Sequence, residues 1–338
     1  MMLSNFYKNY FENTKIFDYN KYIINLKKLF SVYEIGYQPP NFILNIPKNK
    51  LLKYMKSTII YYEKEEDKIL SFTREPVNIE MNRYYNLKKM YQYFGYEKSL
   101  YNKKSSNIAI FSKTPIQIKK NKIIEMDINV LNVIGVALDS TKQYDYIRLY
   151  KIKNIDKRIL EYENMVKSFF IKIKKCFLEN NFELLFLSAV GLGNFSILCP
   201  LLKINQNEIF NKIFNEVFKD IIENNILNKK IILWCFSDNV LKIINNKNNI
   251  NICNLYLDNL LLDIHKNNNY YNYIDINKKI NIKVNKNKIL FINAYDPYSI
   301  VGNGNNNDNS LDGYFGRISA MSILCWPFTN PFIKYVKI

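Results

Sequence analysis

The spacing of apolar and polar residues is weak over the first third of this chain and regular after it. From Ile124 onward, apolar runs of strand length alternate with longer stretches of helical period. VLNVIGVALDS (130–140) predicts a buried strand ending at Asp139. Ile155, Ile159, Tyr162, Val166, Phe169, Ile173 and Phe177 then recur at steps of three and four, the mark of one apolar face of a long helix. ELLFLSAV (183–190) predicts a second strand. Ile209, Phe210, Ile213, Phe214, Val217, Phe218, Ile221 and Ile222 predict a second amphipathic helix. KIILWCFSD (230–238) and KILFINAYD (288–296) predict two more strands. Alternating strands and helices imply an α/β fold with a mostly parallel or mixed sheet flanked by helices.

Residues 1–120 are rich in Tyr and Lys and only weakly periodic, so they are expected to form a mostly helical accessory region, with the main domain at 121–338. Within that domain, 245–286 is Asn-rich and reads as a variable, exposed insertion. His265, the single histidine, falls in it and reads as a surface residue.

The 338 residues are 48% apolar, enough for a sizeable core, and this excludes a disordered chain. A net charge of +18 invites a polyanion as partner. The lysines are spread along the chain rather than gathered in a stripe, so nucleic-acid binding is not the leading expectation. The five cysteines are odd in number and lack a CxxC pair, which argues against a zinc site or a disulfide frame. They read as buried thiols in a reducing, cytoplasmic (intracellular) compartment, and the N-terminus has no apolar core of a secretory signal. The uncharged run 184–202 reaches membrane-spanning length, but Gly191, Gly193, Asn194, Ser196 and Pro200 interrupt it, so it reads as a strand breaking into a glycine loop.

In parallel sheets ligands gather where strands end in polar loops, and three such loops qualify: at Asp139, at 191–196, and from Asp296. AVGLGNFS has glycines that let backbone N–H groups approach a phosphate. It lacks the third glycine and the following acidic residue of a dinucleotide fingerprint. DPYSIVGNGNNNDNSLDGYFGR (296–317) gathers three aspartates and four glycines between apolar runs. Asp308, Asp312 and Gly313 match the first half of a calcium loop, with Ser310 a weaker oxygen donor at its third position, but Ser319 stands where the bidentate Glu is required, so no metal is expected there.

Read together, the two loops resemble those of macrodomains. FINAYDPYSIVGNGNNNDNSLDGYFGR is similar to the catalytic loop of that fold, and LLFLSAVGLGNFS to the loop that wraps the diphosphate of ADP-ribose. The order is reversed relative to ordinary macrodomains, as in a circular permutation. The phrase DPYSIVGNGN..DNSLDGYFGR..LCWPFTNP most resembles the MavL-like macrodomain hydrolases, which remove ADP-ribose from arginine, and the resemblance covers about residues 124–331.

This resemblance implies a hydrolase cleaving the N-glycosidic bond of mono-ADP-ribosylated arginine on a protein, ubiquitin or another arginine-modified partner, with no cofactor. It implies that Gly191, Gly193, Asn194 and Phe195 lie against the diphosphate and distal ribose. Asn293, Asn303, Gly304 and Asn305 would contact the distal ribose and its phosphate, and Asp296, Asp308 and Asp312 would supply the catalytic carboxylates. Asp139 would read the adenine amino group. Two alternatives stay open on the residues alone: a non-catalytic reader that binds ADP-ribose or a related nucleotide, and a basic nucleic-acid-binding protein.

Overall fold

A computed structural model describes residues 18–24, 45–65, 67, 107–119, 123–188, 190–228, 230–235, 251–253, 257–275, 280–295 and 330–338. The chain divides into two compact units. One takes residues 1–106, 110–114 and 298–337, and the other takes 107–109, 115–297 and 338.

In the first unit, helix α1 (Lys48–Lys56) buries Leu51, Tyr54 and Met55 and leads into strand β1 (Ile59–Tyr62). β1 pairs in parallel with β10 (Lys334–Lys337), Ile59 opposite Lys334 and Tyr62 opposite Lys337. Asn330 fixes that pairing from a buried position, its amide donating to Met55 O at 2.9 Å and to Thr58 Oγ1 at 3.1 Å. The region expected to be mostly helical thus contains strand β1 and strand β2 (Ala109–Lys119). The C-terminal strand, which was not predicted and whose residues were expected in the main domain, pairs with β1.

The second unit carries a mixed, largely parallel sheet flanked by helices. Its strands run in the order β2, of which 109 and 115–119 belong to this unit, β3 (Ile123–Ile134), β9 (Ile289–Tyr295), β4 (Leu184–Ser188), β5 (Ile231–Cys235), β6 (Asn251–Cys253). β3, β9, β4, β5 and β6 are mutually parallel, with Asn129 opposite Leu290, Leu184 opposite both Ile289 and Ile231, and Leu233 opposite Asn251. Only three residues separate β2 from β3, which permits an antiparallel pair alone.

The central strands are buried along their length, as the apolar runs predict for a sheet covered on both faces. The connections from β3 to β4 and from β4 to β5 step across the sheet in one direction, and the connection from β6 to β9 steps back. Right-handed crossovers therefore place their helices on opposite faces. On one face lie α2 (Tyr144–Lys151), α3 (Ile155–Glu179) and α4 (Gln206–Asn228). On the other lie α5 (Leu257–Lys266) and the antiparallel hairpin of β7 (Tyr270–Asp275) and β8 (Ile280–Asn285). There Tyr271 meets Phe186 edge-on, and Phe186 stacks on Phe291.

The stretch expected to be a variable, exposed insertion is thus part of the fold. Leu260, Leu261, Ile264 and Val284 are fully buried. Two of its asparagines serve a turn: Asn268 and Asn269 take positive φ, which Asn tolerates better than most residues, just ahead of the hairpin.

α3 and α4 pack through phenylalanines. Phe170 is fully buried, with ring centroids 4.6 Å from Phe169, 4.9 Å from Phe210, 5.6 Å from Phe214 and 6.0 Å from Phe218. Over this layer three ion pairs bridge the helices, Lys167 to Glu216, Lys174 to Asp220 and Lys212 to Glu163, at 2.5–2.6 Å. They are solvent-exposed, so each is worth at most about 1 kcal/mol. Lys172 lies inside, its ammonium donating to Ser168 Oγ and O and to Asn107 Oδ1.

Aromatic packing therefore outweighs charge between these helices. Phe170→Ala is expected to cost about 3–5 kcal/mol, lowering the melting temperature by on the order of 10 °C. Lys174→Ala should shift it by no more than a few degrees. Paired thermal melts check this, and equal shifts would reverse the ranking.

Candidate functional site

The carboxyl ends of β3, β9 and β4 lie side by side, and the loops that leave β3 and β4 are built into one another. β3 stops at Ile134, earlier than the apolar run suggested. The reason is Gly135: a Cβ there would meet the N of Gly191 at 3.0 Å, its Cα at 3.1 Å and Cγ1 of Val190 at 3.2 Å. The two backbones touch where any side chain would hold them apart, and Gly191 has φ of 77°, which favours glycine. Beyond this contact the β3 loop pairs with the β4 loop instead of a strand. Leu138 N donates to Phe195 O at 2.6 Å, and Leu198 N donates to Leu138 O at 2.9 Å.

After Gly191 the β4 loop passes the exposed Gly193 into a 3-10 turn, Asn194–Ser196. Ser196, which is buried, closes that turn by donating from both N and Oγ to Gly193 O. Among the described residues nothing lies within 4 Å of where a Gly193 side chain would begin.

The β3 loop is also held from behind. Asp145, in the first turn of α2, is buried, and its Oδ2 accepts from Ala137 N at 2.9 Å. Beside it, Tyr162 of α3 neighbours Cys199, which opens a second 3-10 turn, Pro200–Leu202. Burial pushes the Cys199 thiol up to about 11, with the Tyr162 hydroxyl pulling the other way. Burial raises Tyr162 well above the usual tyrosine range, and Cys199 and Asp145 add to this. Asp145 was not singled out from the sequence, and Tyr162 was read there only as part of an apolar helix face. An Asp a few residues past a predicted strand end was the available signal.

Of the site residues expected from sequence, Gly191, Gly193, Asn194 and Phe195 share the β4 loop. Asp139 lies in the joined β3 loop rather than at a strand end; it is exposed and accepts from Gln143 Nε2 at 2.8 Å. Asn293 sits within β9, buried opposite Asn132, and its amide donates to Asn132 Oδ1 at 2.8 Å. Asp296, Asn303, Gly304, Asn305, Asp308 and Asp312 lie outside the described residues, as does the partial calcium-loop pattern. Among the described residues no cluster of His, Cys, Asp and Glu could hold a metal ion, and no helix is long and apolar enough to cross a membrane.

No protein-family model matches this chain, and no curated protein matches it significantly.

Two outcomes follow from the loop geometry. Gly135→Ala is expected to destabilise the protein by about 1–3 kcal/mol because rigid backbone must move. Gly193→Ala should stay within about 0.5 kcal/mol of the parent; chemical denaturation of both variants tests the contrast. Separately, the folded protein should leave Cys199 unmodified by iodoacetamide at neutral pH, since its thiolate is scarce and buried. Mass spectrometry that finds Cys199 alkylated before unfolding would contradict this.

Proposed function

We propose that this protein is a macrodomain-type hydrolase that releases ADP-ribose from mono-ADP-ribosylated arginine on a protein. One observation supports it above the others: β9 runs parallel between β3 and β4, so the chain leaves Tyr295 at the edge where the glycine loop and the Asp139 loop already meet. The two segments whose sequences resemble macrodomain loops thus start from one edge of one sheet, although some hundred residues separate them in the chain.

In this reading the β4 loop takes the diphosphate. Gly193 admits the phosphates close to the backbone, and Phe195 lies against the ribose. Asp139, beyond the joined loops, is the acceptor for the adenine amino group. The bond that breaks joins the anomeric carbon of the distal ribose to a guanidine nitrogen of arginine. Its transition state carries positive charge on the sugar, which a carboxylate stabilises. A second carboxylate takes a proton from the attacking water, whose hydroxyl goes to the anomeric carbon, and that proton passes on to the departing guanidine. Asp296, Asp308 and Asp312 are the proposed carboxylates, and a carboxylate also suits bidentate pairing with the leaving guanidinium.

Incubation with an arginine-ADP-ribosylated peptide is expected to release ADP-ribose, and Asp312→Asn to slow release by about 100-fold or more. Gly193→Val should weaken ADP-ribose binding in calorimetry while leaving the melting temperature near that of the parent. Cleavage of a serine- or glutamate-linked substrate instead would overturn the arginine assignment. Tight ADP-ribose binding without turnover, unchanged in Asp312→Asn, would make the protein a reader.

A further inference from the structure

Next to the glycine loop, the chain exposes apolar side chains on two adjoining segments. The segment 197–203 is linked to α2 at both ends through intervening residues. At one end, Leu198 N bonds Leu138 O, beside the Ala137 that Asp145 of α2 holds. At the other, the Arg158 guanidinium binds Leu149 O and Ile152 O from the end of α2 together with Leu202 O. Ile147 (38% exposed) and Tyr150 (55%) project from α2, and Ile197 (62%) and Leu201 (67%) from the neighbouring segment. These are large apolar side chains to leave in water on adjoining elements.

The charges around them differ from those between α3 and α4. Along the α3–α4 ridge, Lys167, Lys174 and Lys212 each face a carboxylate. Beside the apolar residues stand Lys151, Lys153 and Lys203. Among the described residues none of these three is paired with a carboxylate, and Lys153 rests instead over the Tyr150 ring at 4.9 Å. Lys203 is presented at positive φ, a conformation a lysine seldom takes. An apolar centre rimmed by cations without counter-charges fits a partner of opposite pattern, apolar with an acidic rim.

We propose that Ile147, Tyr150, Ile197 and Leu201, rimmed by Lys151, Lys153 and Lys203, form a docking surface for an acidic protein face with an apolar centre. Resting on the function proposed above, that partner is the modified protein itself, held so that its ADP-ribosyl-arginine reaches the glycine loop. The surface begins one residue past the 3-10 turn that ends the glycine loop, so partner and ligand would be read by one continuous stretch of chain.

The test uses the full chain and two fluorescein-labelled peptides: one with Leu and Phe flanked by Asp and Glu, and one of equal charge with Ser in place of Leu and Phe. Fluorescence anisotropy is expected to show the apolar-acidic peptide binding the parent at least tenfold tighter than the polar control. Leu201→Glu and the double variant Lys151→Glu/Lys153→Glu should each lose that binding. Equal binding of the two peptides, or binding unchanged by Leu201→Glu, overturns the proposal. So does a single-stranded oligonucleotide that binds more tightly than either peptide and responds to the lysine changes alone, which would make the surface a nucleic-acid contact. Hydrolysis of a short ADP-ribosyl-arginine peptide is measured in parallel and should match the parent in Leu201→Glu. Absence of hydrolysis in the parent would overturn the enzymatic function without touching the anisotropy result.

Discussion

The contact between Gly135 and Gly191 is the constraint on which the candidate site depends. Two backbones approach to a distance that a methyl group would prevent, and this lets the loops after β3 and β4 exchange hydrogen bonds. The loops meet at the end of the sheet although β9 lies between their parent strands. Two conformationally free residues are thereby converted into a fixed junction, and the entropy lost there is offset by the pairing of Leu138 with Phe195 and Leu198. A loop fixed in this way needs little rearrangement to meet a ligand, which is how binding energy is conserved for the bond-breaking step.

Support for that junction comes from groups that do no chemistry of their own. The Asp145 carboxylate, taken out of water, accepts from Ala137 N, and the Tyr162–Cys199 pair fills the space behind it. Because burial keeps both the phenol and the thiol protonated, the cluster acts as neutral packing around one carboxylate rather than as a store of reactive groups. A cysteine near a candidate site is readily taken for a nucleophile, and here burial argues otherwise.

Much of the second unit was legible in the sequence because its elements follow their own periods. The helix from 155 and the helix around 209–222 stand where steps of three and four placed them, and the strands at 184, 231 and 289 are the apolar runs. Three features were not legible, each for a physical reason. The early stop of β3 is set by Gly191, a residue far away in the chain, so the local run from Val130 reads on to Asp139. The Asn-rich stretch reads as loop by composition, whereas four of its apolar residues, Leu260, Leu261, Ile264 and Val284, find the core. β1 is four residues long and rich in Tyr, too short for any period to show. As for the candidate site, the glycine loop was visible through residue type, but the buried Asn293–Asn132 bond was not, since cross-strand neighbours are set by pairing that the linear chain does not display.

The position of β9 has a consequence for how the protein is made. Its neighbours β3 and β4 are synthesised first, and the strand that joins them is the last of the second unit to leave the ribosome. Until then the nascent chain holds two apolar strands with open edges and more than a hundred residues still to come, the condition under which unpaired edges capture other chains. A sheet whose centre is filled last has mostly long-range contacts and folds slowly. Cells that make this protein would gain from holding its ribosome-bound intermediates apart, and truncation before residue 289 would leave a chain with a slot where its central strand belongs.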